Sequence, residues 1–182
     1  MAWPESGDLQ VLLSEDQIRE KVSEMGRLIT DDYDGRPLVL LGVLNGSAPF
    51  LSDLMRCIKL PLEYSFVSIS SYGCGTASSG VVRMHGDLRI DVCGKHVLVV
   101  EDIVDTGLTL ERSYLIPNLL ESGAESVKLC ALMDKPSRRK ARINPDYVGF
   151  TIGDDFVVGY GLDLAGQYRN LPYVGIWQEC RK

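Results

Sequence analysis

Glu101 and Asp102 stand side by side, and after two apolar residues comes Asp105-Thr106-Gly107-Leu108-Thr109. Carboxylates at this density can grip sugar hydroxyls, hold a divalent cation or take up a proton. Each is costly beside a core strand unless something pairs with it. The threonine hydroxyls and the backbone N–H groups of a tight turn suit a different ligand, a phosphate. The elements that position these groups are legible. His96-Val97-Leu98-Val99-Val100 reads as a buried strand running into the acids. An apolar-periodic helix is expected from the turn towards Leu120, with the positive end of its dipole at the phosphate. The plain alternative is an ordinary βα unit in which Asp105 or Thr106 caps the helix. Three carboxylates within five residues weigh against it.

A smaller junction of the same kind is Val43-Leu44-Asn45-Gly46-Ser47, where a glycine-serine turn after a buried strand exposes amides to a second anion; a plain connection is the alternative. Lys135 ends an expected strand at Ser126 to Asp134, from which its ammonium can reach a ligand across the carboxyl edge of a sheet. Arg138, Arg139, Lys140 and Arg142 are assigned to a solvated face. The small residues from Ser70 to Gly80 have nothing with which to build a core and read as a mobile loop.

The acidic pair followed by Asp-Thr-Gly resembles the ribose-phosphate signature of the type I phosphoribosyltransferases. With the turn at Asn45, the loop and the string Phe156-Val157-Val158-Gly159-Tyr160-Gly161-Leu162-Asp163, the likeness covers roughly residues 37 to 170. Within that family the chain is similar to the hypoxanthine-guanine members. The resemblance implies transfer of a phosphoribosyl group from 5-phosphoribosyl 1-diphosphate to a 6-oxopurine, releasing pyrophosphate, with Mg2+ as cofactor. Glu101 and Asp102 are then assigned to the ribose hydroxyls. The 5′-phosphate falls to the amides of Asp105 through Thr109, Gly107 and Leu108 included, with the Thr106 and Thr109 hydroxyls. Asp105 becomes the general base at purine N7, and Leu44, Asn45 and Gly46 the pyrophosphate loop. Relatives often carry a lysine in place of Asn45. Ser71 and Tyr72 correspond to the family's catalytic loop, which a cationic sugar transition state needs as a shield from water. Lys135 is implied as donor to the 6-oxo group, Phe156 as the stacking partner of the base and the Val157 backbone as a contact to its edge. Asp163 faces the magnesium pyrophosphate, with Glu101 and Asp102 completing the metal set, and Arg169 lies near the departing pyrophosphate.

The chain as a whole fits this. Its 182 residues suit one domain, and 45% hydrophobic and 24% charged residues are ordinary for a globular protein. Alternating strands and helices imply an α/β fold. Their alternation implies a mostly parallel sheet, and the resemblance implies that it is doubly wound, with a core at about residues 37–150 and a small hood from about 1–14 and 151–182. Ser14 opens a capping box with Gln17, and Ile18, Val22, Met25 and Ile29 set a helix over about 15–32. Strands are expected at Pro37 to Leu44, Leu62 to Ser70, Val81 to Leu88, Tyr147 to Ile152 and Val157 to Tyr160, a helix at Pro49 to Ile58, and an irregular C-terminus. Five scattered cysteines and no basic-then-apolar leader point to a reducing cytoplasm. A net charge of −6 weighs against nucleic acid, and no apolar run approaches the roughly 20 residues of a membrane span. A homodimer or homotetramer is expected. Three rivals share the signature: a xanthine- or adenine-preferring enzyme, a pyrimidine-specific enzyme, and a regulatory nucleotide- or RNA-binding protein. Lys135 speaks against adenine, whose 6-amino group would meet an ammonium that can only donate.

Overall fold

The computed structural model describes residues 9–71, 82–85 and 90–178. In chain order the elements are β1 Leu9–Leu13, α1 Glu15–Asp32, β2 Leu38–Leu44, α2 Ser47–Cys57, β3 Leu62–Ser71, β4 Val82–His85 and β5 His96–Val104. There follow α3 Leu108–Ser113, α4 Leu115–Glu121, β6 Ser126–Asp134, a 3-10 turn Pro136–Arg138, β7 Tyr147–Thr151, β8 Val157–Val158 and β9 Val174–Trp177.

The main sheet runs β4-β3-β2-β5-β6-β7, parallel except for the edge strand β4. Its central strands β2, β5 and β6 are apolar on both faces because both are covered. Leu38, Leu40, Leu98, Val100, Cys130 and Leu132 face α1 and α2. The intervening Val39, Leu41, Val97, Val99, Leu129 and Ala131 face α3 and α4. Right-handed crossovers account for the two layers. The chain leaves β2 for β3 on one side, then returns past β2 to β5 and proceeds the opposite way to β6 and β7. The helices of the two excursions therefore land on opposite faces. The fold expectation holds.

The expected helix from the turn to Leu120 is instead two short ones, broken at Tyr114, which sits in the left-handed region at φ 53°. Pro117 is the physical reason. In a continuous helix its ring would clash with the carbonyl of Ser113 and remove a hydrogen bond. The break places it in the first turn of α4, where an N–H has no helical acceptor. The buried Ser113 hydroxyl stabilises the break, donating to Leu110 O at 2.8 Å and accepting from Leu115 N at 3.3 Å.

A second sheet, β1-β9-β8, is antiparallel and joins the two ends of the chain. The C-terminus is thus not irregular throughout. Val174 to Trp177 form a strand whose partner, β1, lies some 165 residues away in sequence. The strand expected from Val157 to Tyr160 is confined to Val157 and Val158, after which Gly159 turns the chain at φ 99°.

The capping box on α1 is present, Gln17 N donating to Ser14 Oγ at 3.2 Å and Ser14 N to Gln17 Oε1 at 2.9 Å. Ser14→Ala should remove about 1 kcal/mol of folding stability, read as a lower denaturation midpoint at unchanged slope; an unchanged midpoint would show that the box contributes nothing.

Candidate active site

In a doubly wound sheet, ligands bind outside the carboxyl ends of the strands where the winding direction reverses. Here that point lies between β2 and β5. The loops leaving these two strands are Leu44-Asn45-Gly46-Ser47 and the turn at Asp105 to Gly107, and both acids of β5 stand between them. The first loop begins with a cis peptide bond between Leu44 and Asn45. Ser47 is fully buried and returns its hydroxyl to Val43 O at 2.6 Å, fixing the turn. Gly46 lies directly on Asp102: a Cβ there would fall 1.6 Å from Asp102 Oδ2. Above it comes the hood, for a Cβ on Gly161 would fall 1.9 Å from Gly46 O. Arg169 ties the hood segment together, Nη1 donating to Gly161 O at 2.5 Å and Nη2 pairing with Asp163 at 2.5 Å.

The acidic pair is electrostatically unusual. Burial pushes the Glu101 carboxyl well above the ordinary carboxylate range, and the neighbouring charge of Asp102 adds to it. Burial likewise raises Asp102, with the Ile103 amide and Arg169 working in the opposite direction. Neither acid has an ion-pair partner within salt-bridge distance among the described residues. A ligand's hydroxyls would supply the hydrogen bonds that the protein leaves out.

Gly107 takes φ 74° and occupies the N-cap of α3, where it has no side chain to offer, while the Thr106 hydroxyl accepts from Leu108 N at 3.4 Å and Asp105 does not cap the helix. The first helical bond of α3 is Glu111 N to Gly107 O, which leaves the preceding amides without helical acceptors. With six residues, α3 has a smaller dipole than the long helix expected. Any grip on phosphate therefore falls to the turn's own amides and to Thr106 and Thr109. The turn is braced from behind. Lys140 N and Ala141 N both donate to Thr106 O at 3.0 Å, and Arg139 Nη1 donates to Asp105 O at 2.8 Å.

Of the residues assigned to a solvated face, Arg138, Lys140 and Arg142 are exposed, but Arg139 is not, and Arg138 makes a specific contact. Arg139 is largely buried and pairs with Asp134. Arg138 Nε donates to Asp105 Oδ1 at 2.7 Å. The chain needs these partners because Asp105 and Asp134 both sit at the carboxyl edge of a low-dielectric core. Two unmatched acids there, beside a run of arginines one turn away, are the signal the sequence carried.

Lys135 is buried, at 5% exposure, and its ammonium donates to Asp155 O at 2.7 Å. The next residue, Phe156, is 53% exposed although it immediately precedes the buried strand β8. A fixed ammonium and an open aromatic face thus stand together. Ser137 Oγ reaches Asp154 Oδ1 at 2.6 Å, so the turn after Lys135 is fastened to the same hood segment.

Ser71 ends β3 in its backbone, and Tyr72 with the rest of the expected mobile loop to Gly80 lies outside the described residues. Ser70 and Ser71 belong to the strand rather than the loop. His96 holds Ser126 Oγ at 2.7 Å at the opposite end of β5, a structural position. Among the described residues no three acids, histidines or cysteines come close enough to form a protein-only metal cage. Asp163 already accepts from Gly166 N at 2.7 Å besides pairing with Arg169.

The Phosphoribosyl transferase domain pattern matches residues 12–165. The chain belongs to the phosphoribosyltransferase family. The hypoxanthine-guanine phosphoribosyltransferase of Bacillus subtilis (strain 168) is 48% identical over 167 residues, covering 92% of each chain. The bifunctional protein TilS/HprT of Listeria monocytogenes (serotype 4b, strain F2365) is 51% identical over 170 residues. The chain spans 26% of that relative's length. A crystal structure of a hypoxanthine phosphoribosyltransferase from Staphylococcus aureus superposes with a TM-score of 0.89 at 44% identity, covering 98% of both chains. This phosphoribosyltransferase shares with that structure its fold over nearly all its length.

Two outcomes follow from the acids. Glu101 has a folded-state pKa above its unfolded one, so its ionisation opposes folding. The associated stability is present below the ordinary value of about 4.5 and is lost as pH rises. Glu101→Gln should therefore raise the melting temperature at pH 7.5, and the advantage should vanish as pH falls below about 4.5; an equal gain at both pH values would contradict the burial argument. Gly46→Ala should displace Asp102 and weaken binding of 5-phosphoribosyl 1-diphosphate by about tenfold or more, measured by calorimetry, while circular dichroism stays native. Unaltered affinity would remove Gly46 from the site.

Proposed function

We propose that this phosphoribosyltransferase attaches the 5-phosphoribosyl group to hypoxanthine or guanine, yielding IMP or GMP and pyrophosphate. The observation that carries this reading is Lys135, whose buried ammonium is held on the backbone of Asp155 immediately before the exposed Phe156. An ammonium only donates, so it suits a 6-oxo group and not a 6-amino group. The names of the relatives support the same class of base.

Loss of pyrophosphate leaves positive charge on the ribose, so the residues must hold the sugar, stabilise the leaving group and bring up the base. Glu101 and Asp102 accept hydrogen bonds from the ribose hydroxyls. Their burial makes those bonds strong, because water does not compete. The turn from Asp105 to Thr109 takes the 5′-phosphate. The amides of Leu44, Asn45 and Gly46, with Arg169, face the pyrophosphate. Phe156 stacks on the purine and Val157 meets its edge by backbone. Asp105 then stands on the purine side of the ribose and accepts the proton from N7.

The carboxylate oxygens of Asp102 and Asp163, with Glu101 behind them, are hard donors that suit Mg2+, which takes one or two carboxylates together with substrate phosphates. When bound, the ion would neutralise charge on the departing pyrophosphate. Ser71 and Tyr72 are assigned to a cover over the reacting sugar. No described helix is long and apolar enough to cross a membrane. The free thiols of Cys57, Cys93 and Cys130 suit a reducing cytoplasm. The exposed pair Tyr64 and Phe66 on β3 suits burial against a second copy in a homodimer or homotetramer.

Pyrophosphate release measured with hypoxanthine, guanine, xanthine, adenine and orotate, with and without Mg2+, tests the reading. Release with hypoxanthine and guanine, dependent on Mg2+, is expected. Turnover confined to xanthine or orotate would overturn it. Asp105→Asn should lower kcat by about 10²- to 10⁴-fold while 5-phosphoribosyl 1-diphosphate still binds; an unchanged rate would exclude Asp105 as the base.

A further inference from the structure

Arg138 lies on the 3-10 turn Pro136–Arg138, is nearly half exposed, and reaches Asp105 across 33 residues of sequence. Its Nε donates to Asp105 Oδ1 at 2.7 Å. The neighbouring Arg139 donates from Nη1 to the carbonyl of the same Asp105 at 2.8 Å. Asp105 is therefore held at both ends, side chain by one arginine and main chain by the next. One carboxylate oxygen is engaged, and the other has no protein partner among the described residues.

The turn that carries Arg138 is itself fixed. Arg138 N donates to Lys135 O at 3.1 Å and Arg139 N to Pro136 O at 3.2 Å, while Ser137 Oγ fastens the turn to Asp154 at 2.6 Å. At its start Lys135 holds Asp155 O. One short turn thus connects the Asp105 carboxylate with the segment that presents Phe156.

We infer that Arg138 is a positioning residue for the transfer step: it holds the Asp105 carboxylate so that its free oxygen faces the purine, in register with the aromatic face of Phe156. The inference rests on the proposed role of Asp105 as base. A single ion pair at this exposure adds little to folding, so its contribution is geometric. A carboxylate free to rotate spends less time aligned with N7–H, and misplacement of a reacting group by an ångström is enough to slow the reaction. The guanidinium also makes a directional bond from Nε that a lysine ammonium, a point charge on a flexible stem, does not reproduce.

The test is a double-mutant cycle on the full chain, with kcat and KM for both substrates and the melting temperature measured for each variant. Arg138→Gln should lower kcat roughly tenfold, with KM for 5-phosphoribosyl 1-diphosphate and the melting temperature nearly unchanged. Arg138→Lys should recover a part of that loss. In an Asp105→Asn background, Arg138→Gln should add no further loss. The inference fails if Arg138→Gln leaves kcat intact while Asp105→Asn abolishes it, or if its effect is undiminished when Asp105 is already replaced. If Asp105→Asn itself is without effect, the base assignment falls first and takes this inference with it. A drop in melting temperature with kcat preserved would likewise assign Arg138 to stability alone.

Discussion

The arrangement depends on keeping two adjacent carboxyl groups, Glu101 buried and Asp102 partly so, where a core strand runs out towards the cleft. Val97 to Val100 are fully buried, and Glu101 and Asp102 continue that line out of the core. Charge in such a place is unfavourable until hydrogen bonds arrive to hold it. The protein brings few: the Ile103 amide for Asp102, and the field of Arg169 from the hood. This leaves a site whose strongest interactions are reserved for what enters it.

The surroundings conform to that constraint. The loop after β2 can lie against Asp102 because residue 46 has no side chain, and the hood can approach that loop because residue 161 has none. Behind the phosphate turn, Arg139 and the amides of Lys140 and Ala141 hold main-chain carbonyls and leave the front of the turn open. The positive charge of the 135–142 segment is divided. Lys135 turns to the hood, Arg138 and Arg139 to the acids of the cleft, and Lys140 remains exposed.

Much of this was legible in the chain itself. Apolar runs fix the central strands β2, β5 and β6 closely because strands covered on both faces must be apolar throughout. The capping box fixed the start of α1 to the residue. The hood strands β1 and β9 escaped notice for a physical reason: each is short, and each is a strand by virtue of a partner at the other end of the chain. Pro117 carried the warning that the helix after the phosphate turn must break, but apolar periodicity spoke louder than one missing N–H. Arg138 and Arg139 looked solvated even though Asp134, which pairs with Arg139, stands only five residues before it. Asp105, which draws both arginines in, comes more than thirty residues earlier.

The hood's construction imposes an order of assembly. Once synthesis has passed Ala141, the cradle proposed for the sugar and its phosphate has all its strands and its bracing residues. Strand β8, proposed to meet the purine, must wait for β9, near the far end, to pair with it and with β1. A nascent chain emerging from the ribosome would thus own a complete seat for one half of the chemistry well before it owned a seat for the other.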